Sequence, residues 1–355
     1  MENVRILGAG PSGLTAAINL ARAGYDVQLY EKRKDVGARF HGDLQGIENW
    51  SDIEDVRDAL KRFKIDTNFY FESVHELTLT DGRDSWSFNS ERPAFYLIKR
   101  GNVEGSFDIG MKAQALQAGV DLHLGETIPK DLADIVATGP DYTQMFAIVK
   151  GLIFGTVSKD IDAGLLKNIN THKGYSYLLV SNGYASICAY LGGNFERAGA
   201  SLDDAKKTFS NLFGIQPDDI RDVAGFGAFV PGGNFASGNH RIVGEAAGIQ
   251  DLLWGFGVRS SIESGYLAAQ SIIEGKDYGA LAKEHFGSRM KAGIVNRYLW
   301  EKLGSKDGRV VIEKLHKAKN PLNLLRSFYN FNIIQRIIYP LALWHFEKRQ
   351  KSEVS

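Results

Sequence analysis

Gly8, Gly10 and Gly13 stand in the order G-x-G-x-x-G, and Glu31 follows them further along the chain. Those residue types in that order are suited to holding a dinucleotide. Gly8 permits a tight strand-to-helix turn, Gly10 removes the side chain that would keep a pyrophosphate off the backbone, and Gly13 lets the helix pack close on the strand. Pro11 and Ser12 complete the turn, and the N–H groups at the helix N-terminus face the phosphates. Glu31 is placed to accept hydrogen bonds from an adenosine ribose hydroxyl. This chemistry needs a strand, a helix and a second strand in sequence. The apolar run Val4, Ile6 and Leu7 predicts the first strand, the Ala/Leu-rich stretch to Arg22 the helix, and Val27, Leu29 and Tyr30 the second strand, ending on Glu31.

A second constellation lies between Gly244 and Gly257. A mobile nicotinamide coenzyme needs one phosphate cradle, whereas a tightly held, extended FAD needs a second loop and helix N-terminus for its flavin end. Gly244-Glu245 is expected at a strand tip, where an acid can bond the ribityl chain or bridge to the pyrophosphate. Gly255, Phe256 and Gly257 open the next helix, expected over about Val258 to Ile273, whose N–H groups would stabilise the negative N1/O2 edge of a reduced flavin. Arg39, flanked by Phe40 and His41 after Gly37-Ala38, suits a buried phosphate or flavin contact. Lys32, Arg33 and Lys34 read as a solvated turn, of which Lys32 alone is counted with the cofactor contacts. The whole stretch from Lys32 to Trp50 reads as a loop lying over the cofactor.

The elements around these motifs follow from periodicity. Asp52 to Phe63 has helical spacing at Ile53, Val56, Leu60 and Phe63, and a hairpin is predicted on either side of Asp81-Gly82. Phe95 to Ile98 reads as a strand, about Val103 to Ala118 as a helix, Val120 to Leu124 as a strand, and Ile135 to Pro140 as a strand ending in the turn at Thr138-Gly139. From Phe146 to Leu191 the chain turns to strands rich in Tyr, Val, Ile and Leu, folding at Ser181-Asn182-Gly183, which predicts a separate antiparallel sheet walling a substrate cavity. Ser201 to Asp204 reads as the cap of a helix running to Phe213, and the chain beyond Lys276 reads as helical. The expected fold is α/β. A Rossmann-like FAD-binding domain over 1–145 and 220–275 carries an inserted antiparallel substrate domain over 68–98 and 146–219, with a helical region over 276–355.

Composition sets outer bounds. Over 355 residues, 42 basic and 42 acidic side chains cancel, so no global field draws the chain to nucleic acid. A single cysteine, Cys188, excludes an internal disulfide framework and reads as a buried small hydrophobe. His123, His172 and His240 show no ligand spacing, so no metal is expected. The N-terminus passes straight into the first strand, and no apolar run reaches transmembrane length, which predicts a cytoplasmic protein.

Together the motifs resemble the FAD-dependent family of geranylgeranyl reductases, aromatic hydroxylases and flavin halogenases. G-A-G-P-S-G-L with Glu31 is similar to that family's first motif, and G-E-A-A-G to its later G-D-A-A-G, with Glu245 in place of Asp. G-Y-S-Y-L-L-V-S-N-G-Y-A-S-I resembles the aromatic sheet segment of the reductases. Arg100, between a strand and a helix, is similar to a family arginine near the flavin, and Thr138-Gly139 stands where the hydroxylases carry Asp-Gly, which weighs against the monooxygenase reading. Phe40-His41-Gly42-Asp43 replaces the reductases' cysteine motif, so no role of that cysteine is carried over. I-Q-D-L-L-W replaces the Pro-rich loop and puts Trp254 beside the expected flavin.

The resemblance implies an FAD-dependent oxidoreductase that reduces or dehydrogenates a hydrophobic, isoprenoid or other lipid substrate by hydride transfer at flavin N5. A monooxygenase or halogenase, and a non-enzymatic prenyl- or lipid-binding protein, stay open as alternatives. His41, Tyr177 and Trp254 are the candidate catalytic residues, set against plain packing roles; of Tyr175, Tyr177 and Tyr184, some are expected to face outward. With one fingerprint only, electrons would come from visiting NAD(P)H or from a protein carrier such as ferredoxin. The apolar residues Leu324, Leu325, Phe328, Phe331, Ile334, Ile337 and Ile338 form one helical stripe, with Pro340 kinking it and Lys348, Arg349 and Lys351 closing it. Two readings stand for that stripe: packing over the substrate cavity, or peripheral contact with a membrane, for which Trp344 and the basic tail suit a headgroup boundary.

Overall fold

Short apolar runs buried on both faces of a sheet pair side by side in parallel. The computed structural model describes residues 2–166, 173–228, 230, 232–238, 240–303 and 308–354. In it β1 (Asn3–Leu7) runs parallel to β2 (Asp26–Glu31), with Leu7 opposite Tyr30, and α1 (Pro11–Arg22) connects them. They sit inside a six-stranded sheet ordered β15–β16–β9–β1–β2–β8. Its other members are β8 (Asp121–Leu124), β9 (Ile135–Val136), β15 (Ala236–Ser237) and β16 (His240–Ile242). Ile6, Leu14, Ile18, Leu29 and Ile135 are fully buried in its core.

A second sheet has seven strands in the order β14–β10–β13–β12–β11–β5–β6. These are β5 (Glu76–Thr80), β6 (Ser85–Asn89), β10 (Met145–Gly155), β11 (Ile161–Leu165), β12 (Tyr175–Ser181), β13 (Tyr184–Leu191) and β14 (Asp218–Ala228). Successive side chains of a strand point to opposite faces. One face therefore carries Phe154, Leu178, Val180, Ile187 and Leu191 against α4 (Ala198–Phe213). The other carries Tyr175 opposite Tyr190 and Tyr177 opposite Cys188. A three-stranded sheet of β3 (His41–Glu48), β7 (Phe95–Gly101) and β4 (Phe71–Val74) joins the two larger ones.

Helix α5 (Val258–Ile273) lies directly on α1, because Gly265 lets it do so: a Cβ there would stand 2.1 Å from the carbonyl oxygen of Ser12. Four helices end the chain, α6 (Tyr278–Leu303), α7 (Gly308–Lys317), α8 (Pro321–Ser327) and α9 (Ile333–Val354). Arg297 on α6 is buried; its Nε donates to Glu301 Oε1 at 2.9 Å and its Nη2 to the carbonyl of Lys173 at 2.6 Å, tying α6 to the chain just before β12 of the second sheet. At the other junction, burial opposes the charge of Glu263, but Arg289, His285 and Arg259 around it hold its carboxyl below the usual carboxylate range.

Several expectations fail for local reasons. The stretch from Lys32 to Trp50 is not all loop, since its second half is β3 paired with β7. The helix expected over 52–63 is α2 (Val56–Arg62), started by Asp55, whose carboxylate accepts from Arg57 N at 2.8 Å. The helix expected from Val103 is α3 (Phe107–Gln117), delayed because Gly105 is left-handed at φ +70° and Ser106 supplies the cap. Ser201 does not start the helix: α4 begins at Ala198, straight out of a 3-10 turn over Phe195–Arg197. The C-terminal apolar stripe is not one helix, since α8 ends at Ser327 and Phe331 is left-handed at φ +46° before α9 begins. Tyr175, Tyr177 and Tyr184 do not split between faces; the pairings Tyr177–Cys188 and Ser181–Tyr184 put all three on the same side. The hairpin at Asp81-Gly82, the turn at Asn182-Gly183 and the helix Val258–Ile273 stand as expected.

The contact between α1 and α5 yields a test. Gly265→Ala would drive a methyl into the Ser12 carbonyl, and Gly13→Ala would place one 1.9 Å from the Gly8 oxygen. Backbone atoms cannot step aside, so each substitution is expected to lower unfolding free energy by about 1–3 kcal/mol in the absence of any ligand. Urea titration followed by circular dichroism measures this; native midpoints in both variants would contradict it.

Candidate functional site

One cavity of about 1470 Å³ runs between the first and second sheets. At one end it is bounded by the glycine turn Gly8–Ser12 and by Glu31. Gly10 is the N-cap of α1, and a Cβ there would meet nothing within 4 Å, so the turn leaves open space where Gly8 and Gly13 leave none. The Glu31 carboxylate accepts from Ala9 N at 3.0 Å and from Arg33 N at 2.9 Å, which fixes it beside the turn with lone pairs to spare. Lys32, Thr138 and Gly139 also line this end.

Further in, the cavity meets the loop Gly255–Gly257 at the N-terminus of α5, where Gly257 is the N-cap. Two helix N-termini thus open on one space, and each concentrates unpaired N–H groups and positive potential. Glu245 lies between them, its Oε1 accepting from Ala228 N at 3.2 Å and its Oε2 3.5 Å from Arg39 Nη1. Burial raises the Glu245 carboxyl above the usual range and Arg39 counters it. Arg39 also donates to the Phe226 carbonyl and sits over the Phe226 ring, 5.1 Å from its centroid.

Arg100 lines the wall, but its charge is engaged within it. Nε and Nη2 grip Asp108 at 2.9 and 3.0 Å, and Nη1 donates to Gln45 Oε1 at 3.2 Å. Such a buried, bidentate pair fixes both partners. Gly13 and Gly244 do not line the cavity at all. They act by packing: a Cβ on Gly244 would stand 2.7 Å from Ser12 Oγ.

The remaining wall is the aromatic face of the second sheet. Tyr175, Tyr177, Leu179, Cys188 and Tyr190 line it, and Leu315 of α7 and Leu325 of α8 close it. Tyr177 is half-buried beside Cys188, and desolvation lifts its phenol well above the ordinary range, so Oη keeps its proton. Trp254 lies in the same wall, edge-on to Trp300 at 5.6 Å between ring centroids, while its carbonyl accepts from Tyr175 Oη. Its buried Nε1 has no hydrogen-bond partner among the described residues. Asp251 shapes this loop by accepting from Leu253 N, Trp254 N and Tyr329 Oη at 3.1, 3.2 and 2.9 Å. Burial pushes its carboxyl up to about 6.

His41, like Gly13 and Gly244, does not border the cavity. It is exposed at the start of β3, because strand pairing with Gly101 turns it to the outside. The residues missed by the sequence reading include Asp43, Gln45 and Gly46 of β3, which do border it. Two of that strand's positions are glycines kept for close approach, to the Tyr184 hydroxyl at Gly42 and the Phe256 ring at Gly46, which erased the alternation that signals a strand. His240 bonds the Ala133 carbonyl at 2.7 Å and His123 pairs with Asp121 at 2.9 Å, while His172 lies outside the described residues.

Three kinds of likeness bear on this site. A family model described as an NAD(P)-binding Rossmann-like domain matches residues 6–45. Thiamine thiazole synthase of Thermococcus kodakarensis is 36% identical over 64 residues, which is 18% of this chain and 26% of that protein, so the match spans about a quarter of the relative. Across nearly the whole chain, a geranylgeranyl bacteriochlorophyll reductase-like protein from Thermoplasma acidophilum superposes with a TM-score of 0.73 at 18% identity, covering 96% of this chain and 100% of that one. A flavin-dependent brominase superposes at 0.62 and 16% identity, covering 98% and 99%. At such identities the shared property is the fold.

Cys188 offers a test of how closed the aromatic wall is. Burial pushes its thiol up to about 12. Since only the thiolate attacks a disulfide reagent, Cys188 is expected to react about a thousandfold more slowly at pH 8 than an ordinary thiol. Guanidinium should restore one fast thiol per chain, matching the single cysteine. Fast reaction of the native protein would show that the wall opens to water.

Proposed function

We propose that this chain, which has the fold of the FAD-dependent oxidoreductases, binds FAD along the cavity and reduces or dehydrogenates a hydrophobic substrate of the isoprenoid or lipid class. The observation that carries this reading is that one continuous space of about 1470 Å³ joins two glycine turns at helix N-termini to an apolar, aromatic wall. Ordinary small-molecule sites hold roughly 300–1,000 Å³, so there is room for a cofactor and a second ligand. The residues fit the group. Gly10 leaves open the space that a pyrophosphate requires, Glu31 offers acceptors to a ribose, and Gly255–Gly257 present N–H groups to a flavin edge.

Bound there, FAD would supply hydride transfer at N5. The chain's own part is to bind, orient and keep dry. Arg39 and Glu245 hold the wall between the two turns as an ion pair. Tyr177 lines the apolar end, and its phenol is the protic group there from which a substrate carbon would take its proton. Leu315, Leu325 and Leu179 exclude water around a hydrocarbon. Reducing equivalents come to the flavin from NAD(P)H or from a carrier protein of the ferredoxin kind. A second reading, an oxygen-dependent halogenase or hydroxylase, is favoured by the likeness to the brominase over 98% of the chain.

Two measurements test the proposal. Gly10→Leu is expected to fold with near-native stability, since nothing lies within 4 Å of its Cβ, yet to bind FAD at least about a hundredfold more weakly. Undiminished FAD binding would move the cofactor elsewhere. Photoreduced, FAD-loaded protein mixed without oxygen with a polyunsaturated isoprenoid lipid should reoxidise as the lipid gains hydrogen at a double bond. Reoxidation only when oxygen is admitted, with hydroxylated product, or halogenated product when halide is present, would establish the second reading instead.

A further inference from the structure

The C-terminal helix shows two faces. Ile338, Ala342 and Phe346 turn inward with Ile294 and Val295 of α6, and Gln335 bonds Asn296 Oδ1 at 2.9 Å. The opposite face is apolar and bare: Ile333 is 70% exposed, Ile334 63%, Ile337 73%, Leu341 53% and Trp344 56%. Steps of three and four residues line these side chains along one ridge about 16 Å long. Leaving five large apolar side chains in water on one helix costs solvation free energy unless something covers them.

The charge around the ridge says what covers it. From Lys314 to Lys348 the chain carries Lys314, Lys317, Lys319, Arg326, Arg336 and Lys348 against one acid, Glu347. Lys291 of α6 stands over the Phe331 and Tyr339 rings at 5.7 and 5.8 Å, and Lys348 over Trp344 at 5.3 Å. A second copy docked on the same face through a two-fold axis would bring the patch that carries Lys291, Arg336 and Lys348 against the same basic patch. Anionic headgroups would neutralise those cations while acyl chains accept the ridge, and an indole at its end suits the headgroup boundary. Among the described residues no helix is long and apolar enough to cross a membrane.

We infer that the Ile333–Trp344 face of α9 is a docking surface for an anionic lipid bilayer, on which the helix lies in the interfacial plane. Leu315 and Leu325, which close the apolar end of the cavity, belong to the helices immediately before it in the chain. The docking surface and the two leucines that close the apolar end of the cavity therefore lie on one continuous segment. This inference stands whether or not the cavity holds flavin, because the ridge shares no residue with it.

Full-length protein is to be sedimented with vesicles of equal parts phosphatidylglycerol and phosphatidylcholine, and with phosphatidylcholine alone. Binding to the anionic vesicles, weaker by about tenfold or more on the neutral ones and at high salt, is the expected result. Ile337→Glu combined with Leu341→Glu should abolish it while leaving the melting temperature near native, because both side chains are exposed. A vesicle-induced blue shift of tryptophan emission should be smaller in Trp344→Phe, which reports on the face even if the double variant misfolds. No binding at low salt, unchanged binding by a folded double variant, or an unchanged blue shift in Trp344→Phe would overturn the inference. So would a dimer in sedimentation equilibrium that the double variant dissociates, since the face would then belong to a second copy.

Discussion

The structure depends on one close approach of backbone to backbone. The first turn of α1 is pressed between the Gly8 carbonyl on one side and α5 on the other, with Gly13 and Gly265 at distances that admit no Cβ. Gly244, left-handed at φ +63°, closes a third side against Ser12. Because these three glycines lack side chains, the N-termini of α1 and α5 come to open on the same space. A dinucleotide that is negative in its middle and polarised at its flavin end has a reason to lie along both. Bulk at any of the three positions would separate the helices and so divide the cavity.

The aromatic wall is a consequence of strand parity. Pairing Tyr175 with Tyr190 and Tyr177 with Cys188 gathers three phenols and a thiol on one face, while the aliphatic residues between them pack on α4. Gly151 stands opposite Cys188, where a Cβ would come within 2.4 Å of its sulfur, so the wall is tightly packed from strand to strand. The ion pair Arg39–Glu245 and the bonds made by Asp251 then hold the loops that join this wall to the helix N-termini.

The first fold unit was legible because each local signal agreed with the next: apolar run, glycine turn, helix, apolar run and acid. The helix Val258–Ile273 and both tight turns were legible for the same reason. Strand β3 was not, since Gly42 and Gly46 serve contacts with Tyr184 and Phe256 that no local pattern encodes. Nor was the place of His41, whose side depends on how β3 registers with β7. The stripe Leu324–Ile338 has an unbroken helical period, yet Phe331 at positive φ divides it: Leu325 and Phe328 pack inward before it, while after it Ile338 packs inward and Ile334 and Ile337 are exposed. Periodicity reports which residues share a face; what that face meets is decided by chain segments distant in sequence.

The central claim is that two glycine turns hold the two ends of one extended dinucleotide. The most direct measurement is to denature the purified protein and identify and count what it releases, after incubation with an equal mixture of FAD, FMN and NAD and removal of the excess. The account predicts about one FAD per chain and little of the other two, because FMN lacks the adenosine half for the Glu31 end and NAD lacks the flavin for the α5 end. Release of FMN or NAD in place of FAD, or of no nucleotide, would contradict it.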